Sequence, residues 1–364
     1  MKILALDTEH SYDNPVWAIL AGYSYSWEPG AARYVPYRQG DPASQEAAVG
    51  QLQALINQAD IVVMHNMAGD CLVLEGVGVT IPYDKLHDTI VGAAVLQEED
   101  LGLKDLGAKH HGVYMATIDD VLGSGKGRVD PCNVPPELWE QWVEYACADA
   151  DITGREFRRQ QVELAKDPLL LNVYENIERP CFEAVVAMQR NGVLVDWPKL
   201  EELDKELEGL VQSEYQALVE IVGSSLDHLL ITYTKGRLDK KTGQRINVKE
   251  KRASFNPASN LQVHEFLYRI RGYPAQTNIK SGNESADERS IYALWEKRDD
   301  LFFPHILEWR GLTTLKTRYL ASLPRLQNPN GNKRLHPSFN LWGAKQTGRM
   351  ASNEPNFQNI PVRS

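Results

Sequence analysis

Cysteine is scarce and unpatterned in this chain. Cys71, Cys132, Cys147 and Cys181 show no C-x-x-C spacing, which argues against both a zinc ribbon and a disulfide framework. Long apolar runs are also missing. The longest nearly uncharged stretch, residues 14–27, carries Pro15 with tyrosines and serines and is too short and too polar to span a bilayer. A secretory h-region is excluded because Ile3 to Leu6 runs at once into Asp7 and Glu9. Internal repeats and low-complexity tracts are absent. These absences lead to the expectation of a cytosolic protein with reduced thiols and no membrane partner.

What remains is ordinary globular material: 364 residues, 43% hydrophobic and 24% charged, enough for two or three domains. The formal charge of −10 hides a division along the chain. Residues 1–165 carry 11 basic and 25 acidic side chains, residues 166–230 carry 5 and 13, and residues 231–364 carry 23 and 11. An acidic front and a basic back suggest different tasks, and the back is suited to a polyanion.

The first third alternates strand-like and helix-like patterns. Residues 2–7, 16–27, 31–37 and 60–65 read as strands and 43–57 as a helix, which predicts an α/β domain with a mixed sheet. Helices are expected near 88–97 and 103–111 and over 136–165. Gly123 to Arg128 looks like a phosphate loop but lacks the G-x-x-x-x-G-K-[ST] spacing, so it reads as a plain loop. From Leu170 onward the pattern is helical, with a turn at Asn191-Gly192, a short strand over 193–195, and a long helix to Val222 capped by Asp196. The polar, basic stretch 232–254 reads as a solvated loop. Further helices are predicted near 259–270, 286–297 and 302–322, before a turn-rich tail.

Asp7 and Glu9 end the first strand, and strand period two puts both carboxylates on one face. Adjacent acids repel, and a divalent cation such as Mg²⁺ or Mn²⁺ is a strong reason for them to coexist. Asn66-Met67-Ala68-Gly69-Asp70 then places another acid where a helix follows a strand. On the long helix, Tyr145 and Asp149 stand at i, i+4 and share a face. Each feature alone has a bland reading: Asp70 as a cap, Tyr145 as core, Asp149 as surface. Their order is what carries weight.

D-x-E, N-x-x-x-D and Y-x-x-x-D in succession resemble the signature of the DEDD superfamily of 3′-5′ exonucleases, tyrosine subclass. The resemblance implies catalytic and metal-holding roles for Asp7, Glu9, Asp70 and Asp149. Asp7 would bridge two cations, Glu9 and Asp149 would hold the water-activating one, and Asp70 would reach the second largely through water. Such hydrolysis uses two cations about 4 Å apart, one activating the water and one stabilising the leaving oxygen. Tyr145 would orient the water, since a phenol with a pKa of roughly 10 is a poor base at neutral pH. Asp88 reads as structural, His65 as packing beside the site, Asp151 as a solvated helix residue, and His110-His111 as no zinc site.

The back half extends the resemblance. Glu175 to Pro180 with Met188 to Asp196, then Phe255 to Ser259 and Leu312 to Tyr319, are similar to the junction and thumb of family A DNA polymerases. Thr347 to Ser352 with Pro355 to Arg363 resembles the start of that family's palm. The implied architecture is an α/β ribonuclease H-like exonuclease domain over 1–166, with a mixed sheet flanked by helices. A mainly α-helical linker and thumb region would follow over 167–340, and the start of a palm over 341–364. The implied partner is DNA, as a single-stranded 3′ end and as primer-template duplex. Candidate contacts are Asn66, the basic Lys235, Arg237, Lys240, Lys241 and Arg245, and Arg349, Asn356, Gln358 and Asn359. The family's palm carboxylates and fingers lysine do not follow by Ser364, and Met1 leaves no 5′ nuclease, as in phage-type members. The expectation is therefore a proofreading-type exonuclease without polymerase activity of its own. Two alternatives remain: a DNA-binding subunit completed by a separate palm and fingers chain, and an exoribonuclease resembling ribonuclease D.

Overall fold

A computed structural model describes residues 1–364 apart from 12–13, 230, 239–244, 252–253, 279–281, 329–330, 332, 345–346 and 361–364. The chain forms two compact units, one of residues 1–194 with 326–360 and the other centred on 195–325.

The first unit is built on five strands. Alternation along β1 (Ile3–His10) sends Leu4 and Leu6 to one face and Ala5, Asp7 and Glu9 to the other. β2 (Leu20–Ser26) pairs antiparallel with β1, and β3 (Arg33–Pro36) antiparallel with β2. Helix α1 (Pro42–Gln58), capped by Asp41, buries Ala48, Leu52 and Ile56. It leads to β4 (Ile61–Met64), which runs parallel to β1, and helix α2 (Ala68–Gly76) follows. β5 (Leu86–Asp88) lies parallel to β4 and feeds α3 (Thr89–Val95). The strand order β3-β2-β1-β4-β5 places β1 at the centre of a mixed sheet, as the sequence predicts. Short α4 (Leu103–Leu106) and α5 (Ile118–Leu122) precede the 26-residue α6 (Trp139–Leu164). α6 lies on the sheet face that bears Ala5: a Cβ added at Gly154 would stand 3.1 Å from Ala5 Cβ. Gly125–Gly127 forms a single 3₁₀ turn within the predicted loop.

α7 (Pro168–Val173) and α8 (Cys181–Asn191) continue this unit. Gly192 then turns the chain at φ +58°, where a Cβ would meet the Leu335 carbonyl at 2.5 Å, so a residue without a side chain is required. β6 (Val193–Leu194) follows.

In the second unit, Asp196 caps α9 (Trp197–Val222), which bears on a later helix, residues 302–314. After the short α10 (Leu226–Leu229) comes a correction to the sequence reading. The stretch expected to be loop contains β7 (Ile231–Leu238) and β8 (Arg245–Lys251), paired antiparallel. Alternation in Ile231-Thr-Tyr-Thr and Ile246-Asn-Val248 favours strand, and the basic residues that suggested a loop are tolerated on a two-stranded ribbon. α11 (Asn260–His264), α12 (Glu288–Trp295) and α13 (Phe302–Thr314) enclose an apolar core of Leu218, Phe255, Phe266, Ile291, Leu294 and Phe302.

The chain then rejoins the first unit. β9 (Arg334–Leu335) pairs with β6, and β10 (Ser338–Ala344) with β11 (Arg349–Asn353) makes a hairpin where a turn-rich tail is expected. Phe339, Leu341, Trp342 and Met350 pack on the core of the first unit. Among the described residues no helix is long and apolar enough to cross a membrane, and the four cysteines are free thiols.

Candidate nuclease site

Three of the predicted acids converge. One carboxylate oxygen from each of Asp7, Glu9 and Asp149 lies within 4.8 Å of the others. Two come from the central strand and one from the helix covering that face, so the site is fixed by regular structure rather than by a loop. Glu9 is 6% exposed and Asp149 7% exposed, while Asp7 is half-buried.

Asp70 stands beside them in the first turn of α2, 8% exposed. Its Oδ1 accepts from the Thr8 amide at 3.0 Å and from Thr8 Oγ1 at 2.5 Å. Thr8, between the two acids of β1, therefore ties the fourth acid to the strand that carries the first two. The turn before α2 is held by Asp88, whose carboxylate accepts from the Asn66 and Met67 amides at 2.9 and 3.0 Å and also caps α3 through Ile90. Asn66 takes φ +62° and is exposed. Asp88 is structural, as expected.

The electrostatics are unbalanced. Burial, then the charges of Asp70, Asp149 and Glu9, push the Asp7 carboxyl well above the usual carboxylate range. Burial, then the charges of Asp149 and Asp70, do so for Glu9. Burial lifts Asp70 to about 7 against the pull of the Thr8 hydrogen bonds. Asp149 is raised by burial, with Lys104 and Tyr145 working the other way. Glu9 Oε1 is buried with no hydrogen-bond partner. An orphaned carboxylate oxygen among crowded acids suits a hard divalent cation, so the donor set fits the expected metal.

Tyr145 donates a hydrogen bond to Asp149 and stacks on the fully buried Trp142, with ring centroids 5.6 Å apart and an interplanar angle of 20°. Burial first, then the nearby acids, raise its phenol further, so it stays protonated and acts as a donor. His65 Nδ1 lies 2.8 Å from Thr89 Oγ1, and burial lowers its pKa to about 4. It is a neutral packing residue. Asp151 differs from expectation: it accepts from the Gly30 amide at 2.7 Å and from Arg155 Nε at 2.9 Å, tying the turn after β2 to α6. His110 and His111 pair with Glu98 and Glu156.

Among the described residues of the first unit, the remaining candidates lie outside this cluster. Arg349 is exposed on β11, Asn356 accepts from the Gln358 amide at 3.1 Å, and Gln358 Nε2 donates to the Met350 carbonyl at 2.9 Å. Asn359 is exposed in the 3₁₀ turn that follows. Lys235, Arg237 and Arg245 fall on β7 and β8, and Lys240 and Lys241 lie outside the described residues. Sequence reasoning missed Thr8 and Trp142 and gave no role of its own to Lys104. The last sits in α4 with Nζ 3.3 Å from Asp149 Oδ1 and 4.6 Å from the centre of the Tyr145 ring. The only signal for it was a lysine between Leu103 and Leu106, two anchors of a short amphipathic turn.

Residues 1–163 match the family model described as 3′-5′ exonuclease, and residues 232–364 match that of DNA polymerase family A. The chain is 29% identical to DNA polymerase I of Chloroflexus aurantiacus over 99% of its own length and 35% of that protein. It is 27% identical to DNA polymerase I of Pseudomonas aeruginosa over 100% of its length and 37% of that protein. It thus spans about a third of the length of these curated relatives. Its fold is shared with the POL domain of Pol1 from M. smegmatis, solved in complex with DNA primer-template and dNTP. That match has a TM-score of 0.74 at 21% identity, and covers 99% of this chain and 53% of that one. Front and back thus point the same way, and the chain belongs to DNA polymerase family A, with a 3′-5′ exonuclease domain followed by part of the polymerase domain.

Proposed function

We propose that the first unit hydrolyses DNA from its 3′ end in a proofreading role, using two divalent cations, Mg²⁺ or Mn²⁺. The observation that carries this reading is the trio Asp7, Glu9 and Asp149, with oxygens within 4.8 Å and one Glu9 oxygen buried without a partner. In this reading residues 1–166 are a ribonuclease H-like nuclease, 167–340 a linker and thumb, and 341–364 the start of a palm.

Asp7, Glu9 and Asp149 would hold the cations, with Asp70 beside them. When bound, the cations supply the positive charge that activates water and stabilises the leaving 3′ oxygen. The chain's own contribution is positioning. Thr8 holds Asp70 against β1, Trp142 fixes the plane of the Tyr145 ring, and the protonated phenol directs its hydroxyl toward Asp149. A donor there can orient a water but cannot deprotonate it. DNA would be gripped through phosphates by Lys235, Arg237, Lys240, Lys241 and Arg245, with Asn66, Arg349, Asn356, Gln358 and Asn359 as further contacts. A separate palm and fingers chain has no support in the relatives, which are named DNA polymerase I. A ribonuclease D-like activity is disfavoured by the polymerase match over 232–364.

The test is hydrolysis of a 5′-labelled single-stranded DNA oligonucleotide in Mg²⁺. Asp7→Ala and Asp149→Ala are each expected to abolish it while circular dichroism and the unfolding midpoint stay near wild type. Retained hydrolysis in either variant would overturn the assignment, and a faster rate on the matching RNA oligonucleotide would overturn the choice of substrate.

A further inference from the structure

Four acids crowd the site, and among the described residues the basic side chain paired with them is Lys104, with Nζ 3.3 Å from Asp149 Oδ1. Neighbouring cations are already engaged. Lys109 and Arg159 pair with Glu98 at 2.6 and 3.0 Å, and Arg159 and His111 pair with Glu156 at 2.5 and 3.1 Å.

The position of Lys104 is built. Leu103 and Leu106 are buried at 9% and 0% exposure and anchor α4. The following Gly107 lies so close to α6 that a Cβ there would stand 3.2 Å from Ile152 Cγ2. That close approach brings the lysine to the helix carrying Tyr145 and Asp149. Its Nζ lies over the Tyr145 ring, 4.6 Å from the centroid, and its side chain keeps 31% exposure. The ammonium is therefore held from two sides yet open to solvent. A compact charge on a flexible four-carbon stem can exchange partners without disturbing the helix.

Resting on the metal-dependent nuclease reading, we infer that Lys104 is a tethered cation that exchanges partners. It neutralises Asp149 while the acids hold no metal, and contacts the phosphate next to the 3′ end of the DNA once a divalent cation takes that carboxylate. The physical ground is competition. The ammonium and a divalent cation seek the same Asp149 oxygen and repel one another at that range. The displaced ammonium then lies at the rim of the site, where an arriving phosphate is the anion to meet it. Tyr145 offers its ring face in both positions.

The experiment uses the full chain with Lys104→Met, which keeps the stem length and removes the charge, and Lys104→Arg, which keeps the charge. Mn²⁺ binding is measured by isothermal titration calorimetry without DNA, and single-turnover hydrolysis of a single-stranded DNA oligonucleotide is measured at saturating Mn²⁺. In Lys104→Met, Mn²⁺ is expected to bind about tenfold more tightly while hydrolysis falls at least tenfold, with unfolding midpoints near wild type. Lys104→Arg is expected to restore most of both. A purely structural ion pair would leave hydrolysis at saturating Mn²⁺ unchanged when removed, even if metal binding tightened. Unchanged or weaker Mn²⁺ binding in Lys104→Met, or hydrolysis equal to wild type, overturns the inference. If the wild-type chain neither binds Mn²⁺ nor hydrolyses DNA, the reading of the site falls and this inference with it. A working wild type with an indifferent Lys104→Met overturns the inference alone.

Discussion

Thr8→Val is the most telling perturbation of the site, because it removes one atom's chemistry and leaves the shape. Thr8 is 7% exposed, and its hydroxyl and amide both donate to Asp70 Oδ1, at 2.5 and 3.0 Å. Valine fills the same volume and keeps the amide but loses the hydroxyl. A hydrogen bond to a charged partner contributes about 1.5–3 kcal/mol. If that stabilisation is what fixes Asp70 during hydrolysis, its loss corresponds to a slowing between about tenfold and about 150-fold at 1.36 kcal/mol per decade. The assay is single-turnover hydrolysis of a single-stranded DNA oligonucleotide at saturating Mg²⁺, alongside urea unfolding of each variant. Thr8→Ser, which retains the donor, is expected within about twofold of wild type. Thr8→Val should be slower and less stable, and its cost should largely vanish in an Asp70→Ala background, where no acceptor remains. Equal behaviour of Thr8→Val and Thr8→Ser in rate and stability would refute the view that this hydroxyl positions the acid.

Two further predictions concern the supports of the site. Trp142→Ala removes a fully buried indole that donates to the Tyr34 hydroxyl at 3.2 Å and backs the Tyr145 ring. It should cost about 3–5 kcal/mol in urea unfolding and slow hydrolysis in parallel, whereas Trp142→Phe should keep most of the rate. His87 is 5% exposed between Phe157 and Tyr174, and burial lowers its pKa to about 3. Its neutral form therefore contributes stability that is present above its unfolded pKa of about 6.5 and is lost as the pH falls toward 3. The shift corresponds to a span of up to about 5 kcal/mol. His87→Phe should move the acid-unfolding midpoint to lower pH, and an unmoved midpoint would count against this origin of acid lability.

The features legible in the sequence are those set by local period. Strand period two put Asp7 and Glu9 together, helical spacing put Tyr145 beside Asp149, and a strand-to-helix turn located Asp70. What stayed hidden depends on which elements meet. Lys104 reaches Asp149 across 45 residues of chain, and nothing local marks it apart from its neighbours Lys109 and Lys126. Thr8 gains its role only because α2 starts beside β1. The β7–β8 ribbon was obscured by its own charge, since a run of lysines and arginines outweighed a weak alternation of Ile231, Tyr233, Ile246 and Val248. The pairing of β6 with β9 joins residues about 140 positions apart and could not be read from either segment.

Burial of acids alone does not mark the site, and Glu156 shows why. It is wholly buried, more so than Glu9 or Asp149. Burial works to raise its carboxyl, yet Arg159, His111 and Gln160 supply enough donors to hold it below the usual range. Glu9, nearly as buried, and the half-buried Asp7 are pushed the other way, because burial is joined there by neighbours that are mostly further acids. All are acids, Glu156 on α6 and Asp7 and Glu9 on β1, and they differ in whether the fold itself completes their coordination. A structural carboxylate is satisfied by the chain. One left unsatisfied inside a well-packed sheet and helix requires something from outside, and the acidity of the first 165 residues is therefore more than a surface property. Part of it is a local deficit of positive charge, and that deficit is the ground for proposing a cation, and then a phosphate, as the ligands of this site.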